Sequence, residues 1–268
     1  MAFFQDKVVV ITGGTDGIGR ALVDRLMQQG ARVATCGRSQ DKLYALQMEY
    51  SGQSLHTMVA DVSRFEDCER FIASTIETFG TIDVLINNAG MSMRAEVKEM
   101  DVTVISKLMD VNFMGAVYCT KLALPEIMRN KGTVAGISSV AGYRGLPGRS
   151  GYSASKFALQ GFLESLRTEM MDAGVNVMWI SPGFTASNIR FTALNKEGNQ
   201  QGESPMDEGS MMTAEECAGH ILKAIETRKR TLVLTFTGKR AVFMNRFFPS
   251  LADKLVHKFY YRSGKLIR

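Results

Sequence analysis

Cysteine and histidine are sparse, and neither is arranged for chemistry. The four cysteines, Cys36, Cys68, Cys119 and Cys217, include no CxxC pair, and His56, His220 and His257 are scattered. That spacing excludes a disulfide framework and a zinc site, so reduced, buried thiols and no metal are expected. No apolar run approaches the ~20 residues that span a bilayer. The opening stretch MAFFQDKVVVITGG has no basic start, no long apolar core and no cleavage site, so no signal peptide is expected. Charge of one sign is missing from most of the chain. Residues 239–268 hold eight Lys/Arg and one acid, a net of +7, while the whole chain is only +5. The remainder is therefore slightly acidic, and the basic character belongs to the tail. A cytoplasmic location is expected, peripheral to the inner face of a membrane if that tail touches one.

What is present is an ordinary globular balance. The 268 residues are 45% hydrophobic and 22% charged. A core of that size folds without disulfides or metal. Two periods alternate along the chain. Short β-rich runs fall at 7–12, 31–36, 54–60, 82–86, 133–138, 175–180 and 231–236. Helical spacing lies between them, as in Ile18, Leu22 and Leu26, or Phe71, Ile76 and Phe79. Four strands follow a glycine (Gly30, Gly80, Gly132, Gly174), which suits a left-handed residue closing the preceding helix. Strands nearly continuous in Val, Ile and Leu are buried on both faces. Repeated strand–helix–strand units force a parallel sheet with right-handed crossovers. The expectation is one α/β domain, a doubly wound Rossmann sheet of seven parallel strands over 1–238, with 239–268 as its basic extension. Residues 184–212 break the rhythm with a polar stretch containing glycine and proline. A connection that long after a strand end suits a cover over a ligand site.

The run VVVITGGTDGIGRALVDRL puts Gly13, Gly17 and Gly19 between a strand and a helix. Absent side chains let the turn tighten and let the helix N-terminus approach a pyrophosphate. Thr15, Asp16 and Ile18 share the loop. No Gly-Lys-Ser/Thr follows, which excludes a nucleoside-triphosphatase loop. About 20 residues further on, a carboxylate would hold an NAD ribose. Here the place reads TCGRSQDK: Gly37 leaves room, and Arg38, with Ser39 beside it, suits a 2′-phosphate. NADP is expected over NAD. Asp16 either pairs with Arg38 or weakens that site by repulsion.

In GYSASKFALQGF, Tyr152 and Lys156 stand one helical turn apart. A phenol has pKa ≈ 10, and a nearby ammonium lowers it by ~1–3 units, into working range for proton transfer. LINNAG (85–90), MDVNFMG (109–115) and GISSVAG (136–142) lie upstream. Together, TGGTDGIG, NNAG, the asparagine of MDVNF, the serine of ISS, YSASK and SPG, in this order, resemble the short-chain dehydrogenase/reductase family up to about residue 236.

The resemblance implies Tyr152 as general acid/base and Ser139 as partner of the substrate carbonyl. It implies Lys156 on the nicotinamide ribose, lowering the phenol pKa, and Asn112 holding a water that links Lys156 to solvent. Asn88, Ala89 and Gly90 would border the adenosine ribose, and Asp61 and Val62 the adenine. Pro182 and Gly183 would flank the nicotinamide, with Thr185 or Ser187 at its carboxamide. Within the family the chain looks like the branch of 11β-hydroxysteroid dehydrogenase and the dehydrogenase/reductase member 7 proteins. That implies carbonyl reduction, or the reverse alcohol oxidation, on a lipophilic small molecule such as a steroid, retinoid or 3-keto lipid. Met91, Met93, Tyr143, Leu146, Arg149 and Phe184 are the expected substrate lining. A catalytically silent NADP-binding protein of regulatory or structural type is the alternative.

The resemblance also implies a homodimer or homotetramer through helices at 100–130 and 150–173. There the small face of Ala154, Ala158 and Gly161 allows close packing, with Met170 and Met171 at a further contact. In the tail, Leu251, Leu255, Val256 and Phe259 fall on one helix face, with Lys254, Lys258 and Arg262 largely off it. That pattern suits a membrane-surface helix, and equally a subunit contact or a pocket cover. No recognition motif accompanies the charge, so nucleic acid is not expected.

Overall fold

The computed structural model describes residues 2–204, 206, 209 and 211–267. Its seven main strands are β1 (Val8–Thr12), β2 (Arg32–Gly37), β3 (Leu55–Val59), β4 (Val84–Asn87), β5 (Thr133–Ile137), β6 (Asn176–Ser181) and β7 (Thr231–Val233). All pair in parallel, in the order β3-β2-β1-β4-β5-β6-β7. The expected doubly wound sheet is therefore present. β1, β4 and β5 are fully buried, as their apolar runs require for a sheet covered on both sides.

Two apolar layers sandwich the sheet. On one face, α1 (Gly17–Gln28) and α7 (Ala214–Glu226) pack Leu22, Leu26, Ile221 and Ile225 against Val9, Ile11 and Ile180. On the other, α3 (Phe65–Phe79), α5 (Gly115–Arg129) and α6 (Ser150–Glu169) pack Phe71, Cys119, Ile127 and Leu163 against Val10, Leu85 and Val134. α2 (Gln40–Glu49) lies between β2 and β3, and α4 (Thr103–Met109) precedes α5. The four cysteines are buried free thiols.

Three of the four helix-ending glycines are left-handed: Gly30, Gly80 and Gly174. Gly132 is not. Lys131 takes the positive φ there (48°), and Gly132 is required for space, since a Cβ would stand 2.1 Å from the Asp83 carbonyl oxygen. β7 is shorter than expected, because Thr235 turns to φ 61° and its side chain accepts from the Gly238 N–H to start the next helix. That helix is α8 (Phe236–Phe247). α9 (Pro249–Tyr260) and a small hairpin of β8 (Tyr261–Arg262) and β9 (Lys265–Leu266) follow. The hairpin folds back on the body: the Tyr261 hydroxyl donates to Glu96 at 2.9 Å, and Leu266 fills the space over Gly148.

β1 has β2 on one side and β4 on the other, so the strand order reverses between β1 and β4. A crevice opens there at the carboxyl ends of the strands, where such sheets take ligands.

Candidate active site

A cavity of about 740 Å³ occupies that crevice. Its floor at one end is the turn from β1 into α1. Gly13 is left-handed (φ 71°) and lies against Ala89; Gly17 is left-handed (φ 50°) and lies against Ser187. A Cβ at Gly19 would strike the Gly13 carbonyl at 2.1 Å and the Asn88 amide at 2.4 Å. Side chains are excluded from this cradle, and the N-terminus of α1 faces the cavity. Asn88 braces it: Nδ2 donates to the Thr12 and Gly13 carbonyls at 2.9 and 3.0 Å. Thr15, Asp16, Ile18, Asp61, Val62 and Gly90 line the same end.

Beyond β2, Gly37 and Arg38 line the cavity. Arg38 is exposed and makes no ion pair among the described residues. Asp16 does not pair with it. Lys42 donates to Asp16 at 2.8 Å, and the Asn188 amide donates to both carboxylate oxygens at 3.0 Å. These partners, working against burial, hold the Asp16 carboxyl below its ordinary pKa. Ser39 is exposed beside Arg38. It caps α2 by accepting from the Lys42 N–H at 3.4 Å and does not line the cavity.

The reacting end is built by β5, α6 and a π-helical turn (Asp110–Met114) between α4 and α5. Such single π turns often mark functional positions. This one carries Asn112, whose Oδ1 accepts from the Met91 N–H at 2.8 Å. Its Nδ2 donates to the Met91 carbonyl and to Ser155 Oγ, both at 2.9 Å. Ser155 in turn donates to the Tyr152 carbonyl at 2.8 Å. Asn112 thus ties the β4 loop to the first turn of α6. It lies behind the cavity wall, yet its Oδ1 and Lys156 Nζ face the same gap: a Cβ at Gly90 would be 3.3 Å from one and 3.5 Å from the other.

Ser139, Tyr152 and Lys156 all line the cavity. Ser139 Oγ accepts from the Ala141 N–H at 3.1 Å and stands close enough to the Tyr152 hydroxyl to favour its ionised form. Lys156 is 3% exposed, and Nζ donates to the Ile137 carbonyl at 2.8 Å while standing 5.7 Å from the Tyr152 ring centroid. The expected acidification of the phenol is not what this geometry produces. Burial raises the Tyr152 pKa, and Ser139, Arg149 and Arg190 pull it back only in part. Burial likewise lowers Lys156 to about 8. Desolvation disfavours both charged forms.

The substrate half also departs from expectation. Met91, Leu146, Arg149 and Phe184 line it. Met93 does not; it is fully buried in a small core with Val104, Leu108 and Leu194. Nor does Tyr143, whose hydroxyl accepts from the Trp179 ring N–H at 2.8 Å. Pro182, Gly183, Thr185 and Ser187 border the cavity. Ile189, Arg190, Thr192 and Met206 line it too, and bridges Met93–Leu194 and Thr185–Met212 tie this part of the chain down. Val256, Leu255 and Phe259 of the tail line the cavity, as the pocket-cover alternative had it, while sequence reasoning did not single out Ile189, Arg190, Met244 or Tyr260, which also line it. Their only signal was the break in rhythm after β6. It also missed Gln160, whose amide donates to Ser138 at 2.8 Å behind the wall, in the space that Gly142 leaves open.

Comparison with known proteins gives this arrangement its class. The family model for short chain dehydrogenases matches residues 7–198. The chain belongs to the short-chain dehydrogenase/reductase family of oxidoreductases. Its relatives include dehydrogenase/reductase SDR family member 7B of Xenopus tropicalis, 35% identical over 260 residues, covering 93% of this chain and 84% of that protein. The SDR family protein 7-like of Drosophila melanogaster is 31% identical over 253 residues, covering 91% and 78%. The chain is thus of the member 7 branch. Among solved structures, a short-chain dehydrogenase/reductase of Burkholderia phymatum in complex with NAD superposes with a TM-score of 0.83. It is 21% identical, with 94% of this chain and 96% of that chain covered. An alcohol dehydrogenase of Thermococcus sibiricus complexed with 5-hydroxy-NADP gives a TM-score of 0.75 at 26% identity, covering 86% and 96%.

Proposed function

We propose that the protein is an NADP(H)-dependent oxidoreductase that reduces a carbonyl, or oxidises the corresponding secondary alcohol, on a lipophilic small molecule. The observation that carries this is the convergence of Ser139, Tyr152 and Lys156 on one cavity whose other end is a glycine cradle. The cradle fits a dinucleotide: three glycines leave no room for side chains, and the α1 N–H groups face the space. Asn88 and Gly90 would border its adenosine ribose, and Asp61 its adenine. Arg38 supports NADP over NAD, since the end of β2 offers a guanidinium and no carboxylate. Lys42, one turn into α2, adds a second cation, and Asp16 is already neutralised by it. Ser187, against Gly17, suits the pyrophosphate; Thr185 suits the carboxamide.

When bound, the nicotinamide cofactor supplies or accepts the hydride. The protein's work is on the oxygen. Ser139 and Tyr152 converge on the point where charge develops, and Tyr152 gives the proton. A phenol with a raised pKa stays protonated at neutral pH, which suits reduction. Alcohol oxidation needs the phenolate, so that direction should speed up as pH rises. The Lys156 ammonium would hold the ribose and, beside Asn112 and Gly90, sits where a water would carry protons onward.

The cavity's apolar lining supports a steroid, retinoid or 3-keto lipid as substrate. A homodimer or homotetramer is supported by the open face of α6, where a Cβ at Gly161 would meet nothing within 4 Å, and by Met171 in the turn after it, which is 71% exposed. The test is a panel of ketones, aldehydes and hydroxysteroids read by NADPH absorbance, with Tyr152→Phe as control. No turnover across the panel, with NADPH still bound, would overturn the enzymatic reading.

A further inference from the structure

The C-terminal pair α8 and α9 has two faces of opposite use. The inner face closes the cavity through Met244, Ala252, Val256 and Tyr260. The outer face carries Phe243, Phe247, Phe248, Leu251 and Leu255, which are 45–58% exposed. Phe243 lies 4.8 Å from Phe247 and 6.4 Å from Phe248, centroid to centroid, so the rings form one patch. Exposed apolar clusters of this kind mark interaction surfaces. Leu255 belongs to both faces: it lines the cavity and is 45% exposed. It therefore marks a mouth beside the patch.

The same segment carries Lys239, Arg246, Lys254, Lys258, Arg262 and Lys265, all exposed and none in an ion pair among the described residues, and the Arg246 guanidinium lies 5.8 Å from the Phe247 ring centroid. The single acid of the segment, Asp253, is taken by Arg144. Exposed phenylalanine and leucine in a segment whose cations have no acidic partner complement a surface that is apolar beneath and anionic on top. They do not complement themselves. A two-fold contact through this face would set cations against cations. Among the described residues no helix is long and apolar enough to cross a membrane, so the contact lies on the surface.

We propose that α8 and α9 dock the protein on an anionic lipid bilayer, with the cavity mouth at Leu255 turned to the lipid. Delivery of a lipophilic substrate from the bilayer rests on the oxidoreductase reading above; the docking itself does not.

The test is co-sedimentation of the full chain with vesicles of phosphatidylcholine, alone or with about a third phosphatidylserine. The wild type should pellet with the anionic vesicles about tenfold more than with neutral ones, and about 0.5 M salt should release it. Phe247→Glu with Leu251→Glu, neither of which lines the cavity, should lose about tenfold in vesicle binding, while Met171→Ser, in the turn after α6, should keep it. The lipid and salt dependence of the wild type carries the test even if the double variant folds poorly. Three results overturn the proposal. The wild type stays in the supernatant; it pellets equally with neutral vesicles; or analytical ultracentrifugation shows a dimer that the double variant splits, assigning the face to a second copy. Tyr152→Phe should pellet like the wild type, so failure of docking and failure of the redox reading are separate results.

Discussion

The wall of the cavity, built before residue 183, and its roof, built after it, hold their polar groups in different ways. In the wall, Asn112, Lys156, Ser155 and Gln160 are buried, and each is committed to a named partner at 2.8–2.9 Å. In the roof, Arg190 is buried and donates to the Thr185 carbonyl at 2.6 Å, but the side-chain ties to the wall lie nearer solvent: Asn188 reaches across to Asp16, Asn245 donates to the half-buried Tyr143 carbonyl, and α9 is fastened through the Arg144–Asp253 pair. Buried hydrogen bonds are costly to leave unmade; exposed pairs contribute little. The wall therefore fixes the reacting geometry, while the roof can change its partners without loss of the fold. The candidate proton-transfer set lies in the first, and the candidate substrate lining is shared, Met91, Leu146 and Arg149 from the wall and Phe184 from the roof.

The sharpest way to break this division is Tyr152→Phe. Loss of the proton donor should cut kcat/KM by about 10³-fold. NADPH affinity, read by fluorescence titration, should change less than about twofold, because the hydroxyl adds little to ground-state cofactor binding. Near-normal turnover would move the chemistry out of the wall altogether.

Lys156→Met sharpens the same point by setting function against stability. Burial depresses Lys156 from an ordinary value of 10.5 to about 8. Between those values the unfolded chain binds the extra proton and the folded chain does not. Stability therefore rises with pH across about 8 to 10.5, and the full cost of the buried ammonium is present below 8. That cost is on the order of 3 kcal/mol at most. The variant should lose about a hundredfold or more in activity. Its Tm should exceed the wild type's at pH 7, with the gap closing toward pH 10.5. A lower Tm at pH 7 would mean that the hydrogen bond to the Ile137 carbonyl outweighs desolvation.

Arg38→Ala probes the cofactor end, where wall meets solvent. A charge-assisted contact to a 2′-phosphate should be lost, weakening NADPH by about tenfold and leaving NADH nearly unchanged. Equal effects on both cofactors would remove the basis for NADP preference.

The same division explains what was legible in the sequence. The seven strands were, because Val/Ile/Leu runs buried on both faces have no other home. The cradle glycines and the Ser139, Tyr152 and Lys156 set were, because each sits in a short local motif. The rest depends on contacts made far along the chain. Asp16 is separated from Asn188 by 172 positions, so nothing near Asp16 could say that Asn188 and Lys42, not Arg38, would neutralise it. Met93 and Tyr143 look like lining by type and place, yet packing turns them into the core. The π turn under Asn112 leaves no mark in residue spacing. The phenol's raised pKa depends on burial, which a one-turn spacing of Tyr and Lys does not specify.

The smallest effect should come from the clasp between wall and roof. Asn188→Ala removes the two 3.0 Å bonds to Asp16 and leaves the 2.8 Å bond from Lys42. The pair is exposed, so stability should change by less than about 1 kcal/mol. The contact nevertheless crosses the entrance to the glycine cradle, with Ser187 packed against Gly17 beside it. Loosening it should speed NADPH release by about two- to fivefold in stopped-flow displacement, with the chemical step unchanged in single turnover. If release is unaltered while Tm falls by several degrees, the clasp is part of the scaffold, and the boundary between wall and roof must move past residue 188.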